Sequence, residues 1–114
     1  MTLRALDLPA GSVDVLLLKA LSWNPMHGYG ISRWLKAESS GAFGLEDAAL
    51  YQGLHRLERQ GWVTSEWGAS ETNRRAKFYS ITPQGKRQLR EASAAWRAYA
   101  SALFKVLDAS GAKA

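Results

Sequence analysis

The chain has no cysteine and only two histidines among its 114 residues. The first absence excludes disulfides and thiolate-held metals. The second leaves His27 and His55 as the sole imidazoles, and neither has a nucleophile and an orienting acid at recognisable spacing. Metal-ligand spacing is missing too, and no Gly-rich loop followed by lysine marks a phosphate cradle. Neither catalysis nor a cofactor is therefore expected. Long apolar runs are also lacking: the densest, Val13 to Leu21, is broken by Asp14 and Lys19, so it reads as a buried helix and not as a signal peptide or membrane span. The expectation is a soluble cytoplasmic protein without a membrane partner. A chain this short has room for one small domain with a modest core, and oligomerisation would supply further burial.

What the chain has in excess is positive charge, a formal +5. Its distribution matters more than its sum. Residues 1–40 hold four basic and three acidic side chains, residues 41–82 five and five, and residues 83–114 six and two. The surplus lies near the C-terminus, so any attraction to a polyanion from the central segment depends on local placement.

That central segment carries the most informative pattern. LYQGLHRLERQG, from Leu50, reads as a helix that passes into two strand-like stretches, Trp62 to Trp67 and Ala76 to Ile81. The polar loop between them, Gly68 to Arg75, ends in paired arginines. Helix, hairpin and basic hairpin tip make up a winged helix-turn-helix DNA reader, with a helix for the major groove and a wing for the neighbouring backbone. At about 100° per residue, Leu50, Gly53, Leu54 and Leu57 share roughly one third of the helix circumference. Ala48, Gln52, His55, Arg56 and Arg59 lie on the other side, with Tyr51 at the flank. Gln52 and His55 are the candidates for base edges, and Tyr51, Arg74, Arg75 and Lys77 for phosphates. Ala48 is small enough to let the helix tip approach closely. Arg56 can serve either purpose or pair with Glu58; Glu58 and Glu66 read as partners of Arg56, Arg74 or Arg75. Taken alone, such a polar face is also what any surface helix shows.

The rest of the chain fits around this module. Residues 1–10 read as an N-terminal arm, residues 11–82 as the winged domain, 83–108 as a last helix and 109–114 as a disordered tail. A first helix, Val13 to Trp23, ends at Asn24-Pro25. A second runs from about His27 to Glu38 with Tyr29, Ile31, Trp34 and Leu35 as apolar contacts, and its Gly28 and Gly30 are read as allowing close packing. Glu46 and Asp47 suit the start of the third helix as caps, although carboxylates there would oppose phosphate. Gly61 reads as the αL residue after that helix. Thr82 caps the last one with Pro83 at its first position, and Gly85 stands where a capping-box glutamate would.

The motifs HGYGI (His27 to Ile31), LYQGLHRLERQGWV (Leu50 to Val63) and WGASETNRRAKFYSITPQGKRQL (Trp67 to Leu89) resemble, in order and spacing, the PadR family of bacterial transcriptional regulators. The resemblance covers about Gly11 to Leu107 and is closest to the small subfamily with a single C-terminal helix. It implies a mainly α fold with a small β-hairpin: a winged helix-turn-helix plus a long C-terminal dimerisation helix. Many relatives carry a small hydroxyl residue or glycine where this chain has Ala48 and Ala49, which would alter base preference.

From Pro83 to about Asp108 the helical pattern would span roughly 39 Å at 1.5 Å per residue, longer than so small a domain is wide. Leu89, Ala92, Trp96, Tyr99, Leu103 and Val106 are spaced 3, 4, 3, 4, 3, a heptad seam that Phe104 and Leu107 widen. PadR-like proteins dimerise through this region, so the resemblance implies a homodimer on double-stranded DNA, with a pseudo-palindromic operator whose half-sites lie about one helical turn apart. In some small relatives a tryptophan matching Trp96 pairs with its twofold mate and stacks flat aromatic effectors. Here Trp96, with Tyr99, either does this or fills the dimer core. With Arg97 beside it and no adjacent carboxylate, a neutral or anionic aromatic suits it better than a cation.

The expected function is a dimeric, sequence-specific repressor released by a small molecule. The alternative is a winged-helix adaptor that binds protein through Trp62, Trp67 and the long helix.

Overall fold

The computed structural model describes residue 3 and residues 8–111 of the chain. Its first helix, α1 (Ser12–Leu21), buries Leu17, Leu18, Ala20 and Leu21. It stops two residues short of Trp23 because the N–H and the hydroxyl of Ser22 both turn back onto the Lys19 carbonyl, at 3.1 and 2.6 Å. After the Asn24-Pro25 break, Met26–His27 forms β1, a strand the sequence reading lacks; two residues are too few for any periodicity to show.

His27 then opens α2 (Gly28–Glu38), its ring Nδ1 accepting the Gly30 N–H at 3.0 Å. Here an imidazole does what a small hydroxyl or carboxamide side chain usually does at a helix start. A Cβ on buried Gly28 would collide with the Tyr51 ring, whereas one on Gly30 would sit 3.4 Å from its nearest neighbour. Close packing is thus the role of Gly28 alone. Ile31 and Leu35 are buried as expected, but Tyr29, expected among the apolar contacts, is 66% exposed.

α3 (Asp47–Arg59) buries Leu50, Gly53, Leu54 and Leu57, the four positions its period selects. Gly53 lets it approach α1, since a Cβ there would lie 2.7 Å from a Leu17 methyl. Glu46 occupies the N-cap but makes no side-chain capping bond, so the two leading carboxylates act on the helix dipole only through charge. At the other end Gly61, at φ 77°, closes the helix. Its N–H reaches the Glu58 carbonyl and that of Trp62 reaches the Leu57 carbonyl, both at 3.0 Å. These paired bonds satisfy carbonyls the helix leaves open.

β2 (Val63–Ala69) and β3 (Arg75–Ile81) form the wing, in a sheet of order β1-β3-β2 that is antiparallel throughout. The pairing runs from Val63↔Ile81 to Ala69↔Arg75, so the strands extend further toward the tip than expected and the loop is shorter than Gly68 to Arg75. It is a tight turn: the Ser70 N–H donates to the Arg74 carbonyl and the Asn73 N–H to the Ser70 carbonyl, both at 2.8 Å. Asn73 takes the left-handed conformation this turn requires, at φ 59°.

Thr82 caps α4 (Pro83–Leu107), accepting the Gly85 N–H at 3.0 Å while its hydroxyl donates to the Gly61 carbonyl at 2.7 Å. Gly85 is more than a missing capping-box glutamate: it is buried, and a Cβ there would run into the Trp62 carbonyl. The helix therefore starts pressed against the end of α3 and packs along α1, with Leu89 against the core. That core is a single cluster that includes Leu17, Leu18, Ile31, Leu54, Leu57, Val63 and Tyr79. Of the expected N-terminal arm, Leu3 forms a parallel bridge with Phe43, and Leu8 packs against the core. Residues 1–2, 4–7 and 112–114, the last being half of the expected tail, lie outside the described residues.

Candidate nucleic-acid interface

Side chains alternate across a strand, and directly paired residues share a face. The register therefore places Trp67 with Lys77 and Ala69 with Arg75 on the face that continues from Ser65 and Tyr79. Glu66, paired with Phe78, lies on the opposite face. On the strands, Arg75 and Lys77 thus lie on one side of the wing and Glu66 on the other, while Glu71 at the wing tip lines the cationic groove.

The cationic side borders a groove of about 780 Å³. One wall is α3, through Tyr51 and His55; the other is the wing, through Trp67, Arg74, Arg75 and Lys77. His27 and Tyr29 close one end, and Gly28, Ala76, Tyr79 and the wing-tip residues Ser70, Glu71 and Thr72 complete the lining. The guanidinium of Arg75 lies 4.4 Å from the centre of the Trp67 ring, a cation–π contact that fixes its position. No carboxylate pairs with Arg74, Arg75 or Lys77 among the described residues. Burial raises the Tyr79 phenol above its ordinary pKa, and Glu58 and Tyr51 push the same way, so its hydroxyl stays neutral beside the cations.

Of the residues read from sequence, the fold gathers Tyr51, His55, Arg74, Arg75 and Lys77 around this groove. Ala48, Gln52 and Arg59 remain exposed on α3, outside its lining. Arg56 pairs with neither Glu58 nor a groove residue: its Nη2 lies 2.8 Å from Asp14 Oδ1 on α1. Glu58 instead accepts a hydrogen bond from the Ser65 hydroxyl at 2.6 Å, so the expected partnership between them is corrected on both sides. His27, Tyr29 and Tyr79 were not among the sequence candidates, and Trp67 was read only as a possible protein contact. Their places follow from the pairing of β3 with β1 and, for Trp67, with β2, which local periodicity does not encode.

The seam on α4 divides along its length. Leu89, Ala92 and Trp96 are half-buried, whereas Tyr99 is 56%, Leu103 38% and Val106 73% exposed. Phe104 and Leu107 are exposed as well. Trp96 and Tyr99 meet edge to face, their ring centres 6.0 Å apart, and with Pro9 and Ala95 they line a shallow pocket of about 210 Å³. Among the described residues no helix is long and apolar enough to cross a membrane, and no cluster could hold a metal ion.

Residues 17–91 match the model of the transcriptional regulator PadR-like family. Among solved structures, a transcriptional regulator from Clostridium thermocellum is 28% identical, with a TM-score of 0.75 over 83% of this chain and 89% of that one. A PadR family transcription regulator from Clostridium difficile is 25% identical, with a TM-score of 0.73 over 85% and 99%. A PadR family transcriptional regulator from Eggerthella lenta is 30% identical, with a TM-score of 0.68 over 84% and 80%.

Proposed function

Because this chain belongs to the PadR-like family of transcriptional regulators, non-enzymatic proteins that bind DNA, we propose that it acts as a dimeric repressor that reads an inverted-repeat operator with α3 and the wing. The observation that carries this reading is the shared groove: α3 and the basic strand β3 face each other across it, with three cations that no carboxylate among the described residues pairs. Tyr51, Arg74, Arg75 and Lys77 serve the phosphate chain. Ala48, Gln52, His55 and Arg59, exposed on α3, are left to the major groove. Arg56 is tied to Asp14 and orients the helix against α1 ahead of any base contact.

The second copy is the occupant of the exposed α4 seam. The described residues span 63 Å along their longest axis against 30 and 21 Å across, and the projecting end carries the apolar side chains at 99, 103, 104, 106 and 107. A heptad seam of this kind is covered by a like helix. Pairing two copies would bring two Trp96–Tyr99 pairs together, a setting for a flat aromatic effector whose binding spreads the two reading heads. Repression follows where the operator overlaps a promoter.

Selection of random duplex DNA on the purified protein, with affinity repeated across salt concentrations, tests the reading. An inverted repeat with affinity falling steeply in salt is expected, because phosphate contacts release counterions. Recovery of no sequence beyond the input would return the adaptor reading, in which exposed Trp67 and α4 meet a protein.

A further inference from the structure

The charge surplus of the C-terminal segment plays no part in the reading head. It sits on α4, whose cations are Lys86, Arg87, Arg90, Arg97 and Lys105 and whose one carboxylate is Glu91. Measured around the helix from Lys86 at about 100° per residue, Arg97 lies at roughly 20°, Arg90 at roughly 40°, and Arg87 and Lys105 at roughly 100°. On the same scale the seam from Leu89 to Val106 occupies roughly 200–300°, and Glu91 falls outside both arcs at roughly 140°. The cations therefore share one arc, and it lies opposite the seam. All five are exposed, whereas Leu89, Ala92 and Trp96, half-buried, belong to the seam side. No carboxylate among the described residues pairs with any of the five. A copy docked on the seam leaves this arc open to solvent. A helix face that serves solubility alone interleaves both signs. An arc of one sign that runs about 29 Å from Lys86 to Lys105 is the footprint of a polyanion, and its arginines can each hold a phosphate by two hydrogen bonds.

We propose that this arc is a second, sequence-independent face for the backbone of double-stranded DNA, and that a dimer on its operator thereby bridges to another duplex segment. The bridging rests on the DNA-reading face proposed above; binding at the arc does not. One straight duplex cannot serve both faces. α1 packs against both α3 and α4, and Leu89 on the seam side of α4 meets the core, so the basic arc points away from the head. At about 8–10 Å between packed helix axes, the arc stands about two helix layers from α3. The Thr82 cap and the close approach of Gly85 to the Trp62 carbonyl hold the start of α4 against the head, which fixes the separation of the two DNA segments. An acidic protein segment would be drawn to the same charge. A duplex fits it better, because its phosphates recur regularly, one per about 3.4 Å of axis on each strand, and a straight stripe of this length passes roughly eight of them. A protein bound to its operator also has further duplex close by.

The test substitutes Lys86→Gln, Arg90→Gln and Arg97→Gln together in the full-length protein, at exposed positions outside the core and the seam. Unfolding midpoint and sedimentation should stay as in the wild type. In the first arm a fluorescent duplex of random sequence is titrated across salt concentrations, in a background of Arg75→Gln and Lys77→Gln that disables the wing. There the three α4 substitutions should weaken binding at least tenfold at about 50 mM salt and make the slope of log K against log salt about 2–3 units shallower. In the second arm, protein with an intact wing is held on immobilised operator, washed, and offered the fluorescent duplex. The wild type should capture it, and the α4 variant should capture about tenfold less while holding the operator as well as the wild type does. Three results would overturn the proposal: equal binding of the random duplex with and without the α4 cations, no capture by the operator-bound wild type at about 50 mM salt, or displacement of the duplex by polyglutamate as effectively, charge for charge, as by unlabelled duplex. The last would assign the arc to an acidic protein. Because the first arm uses no operator, failure of the arc and failure of the DNA-reading face give different results.

Discussion

The winged head and the projecting end of α4 leave opposite surfaces uncovered. In the head, α1, α2, α3 and the sheet close on Leu17, Leu54, Leu57 and Tyr79, each 1% exposed or less. The residue of that packing is a polar face, including Gln52, His55 and the wing cations. In α4 the first turns are covered by α1, but the last leave Val106 73% and Leu107 64% exposed. A region that satisfies its own core presents charge and hydrogen-bonding groups, which suit a polyanion. A region that runs past its core presents apolar surface, which suits a copy of itself. Partner class follows from what each region cannot bury alone.

The largest effect should come from breaking the head's own core. Leu54→Ala removes a fully buried side chain and should cost about 2–5 kcal/mol, read as a lower midpoint in thermal or urea unfolding. Leu103→Asp, on the projecting end, should spare the head but separate the proposed dimer. Sedimentation would then show monomers, and operator affinity should drop about 100-fold as two linked contacts become one. Thr82→Ala, at the junction, removes the cap on Gly85 and the bond to Gly61 and should destabilise by about 1 kcal/mol. Asp14→Ala, which releases Arg56 from a partly exposed pair, should shift the unfolding midpoint least, by about 0–1 kcal/mol. A large stability loss in Leu103→Asp would erase the distinction between the regions, since it would mean that the seam belongs to the head's core.

The two regions were also unequally legible. The buried face of α3 follows from local spacing, since Leu50, Gly53, Leu54 and Leu57 recur at the helical period. The Thr82-Pro83 start of α4 is equally local. The Arg56 ion pair was missed because its partner, Asp14, is 42 residues away, a separation no periodicity reports. Tyr29 has an apolar ring in a helical pattern, but its side of α2 is decided by the pairing of β1 with β3. The Trp67–Arg75 stack depends on a register fixed by the short turn after Ser70; the longer loop expected from composition would have left Arg75 unpaired at the tip. Gly85 looked like a gap in a capping motif, and only the Trp62 carbonyl across from it explains why no side chain fits. The sequence pattern thus identifies which residues carry charge or apolar surface, and the long-range pairing decides which of them meet.

The central claim, that the wing cations and α3 act together on the DNA backbone, is tested most directly by the salt dependence of operator affinity in the wild type and in Arg75→Ala. Each phosphate contact contributes about −0.9 to the slope of log K against log salt, so a dimer losing one per protomer should have a slope about 1.8 units shallower. The loss of affinity should be uniform across operator variants. An unchanged slope in Arg75→Ala would contradict the account, because it would mean that the groove between helix and wing does not hold the backbone.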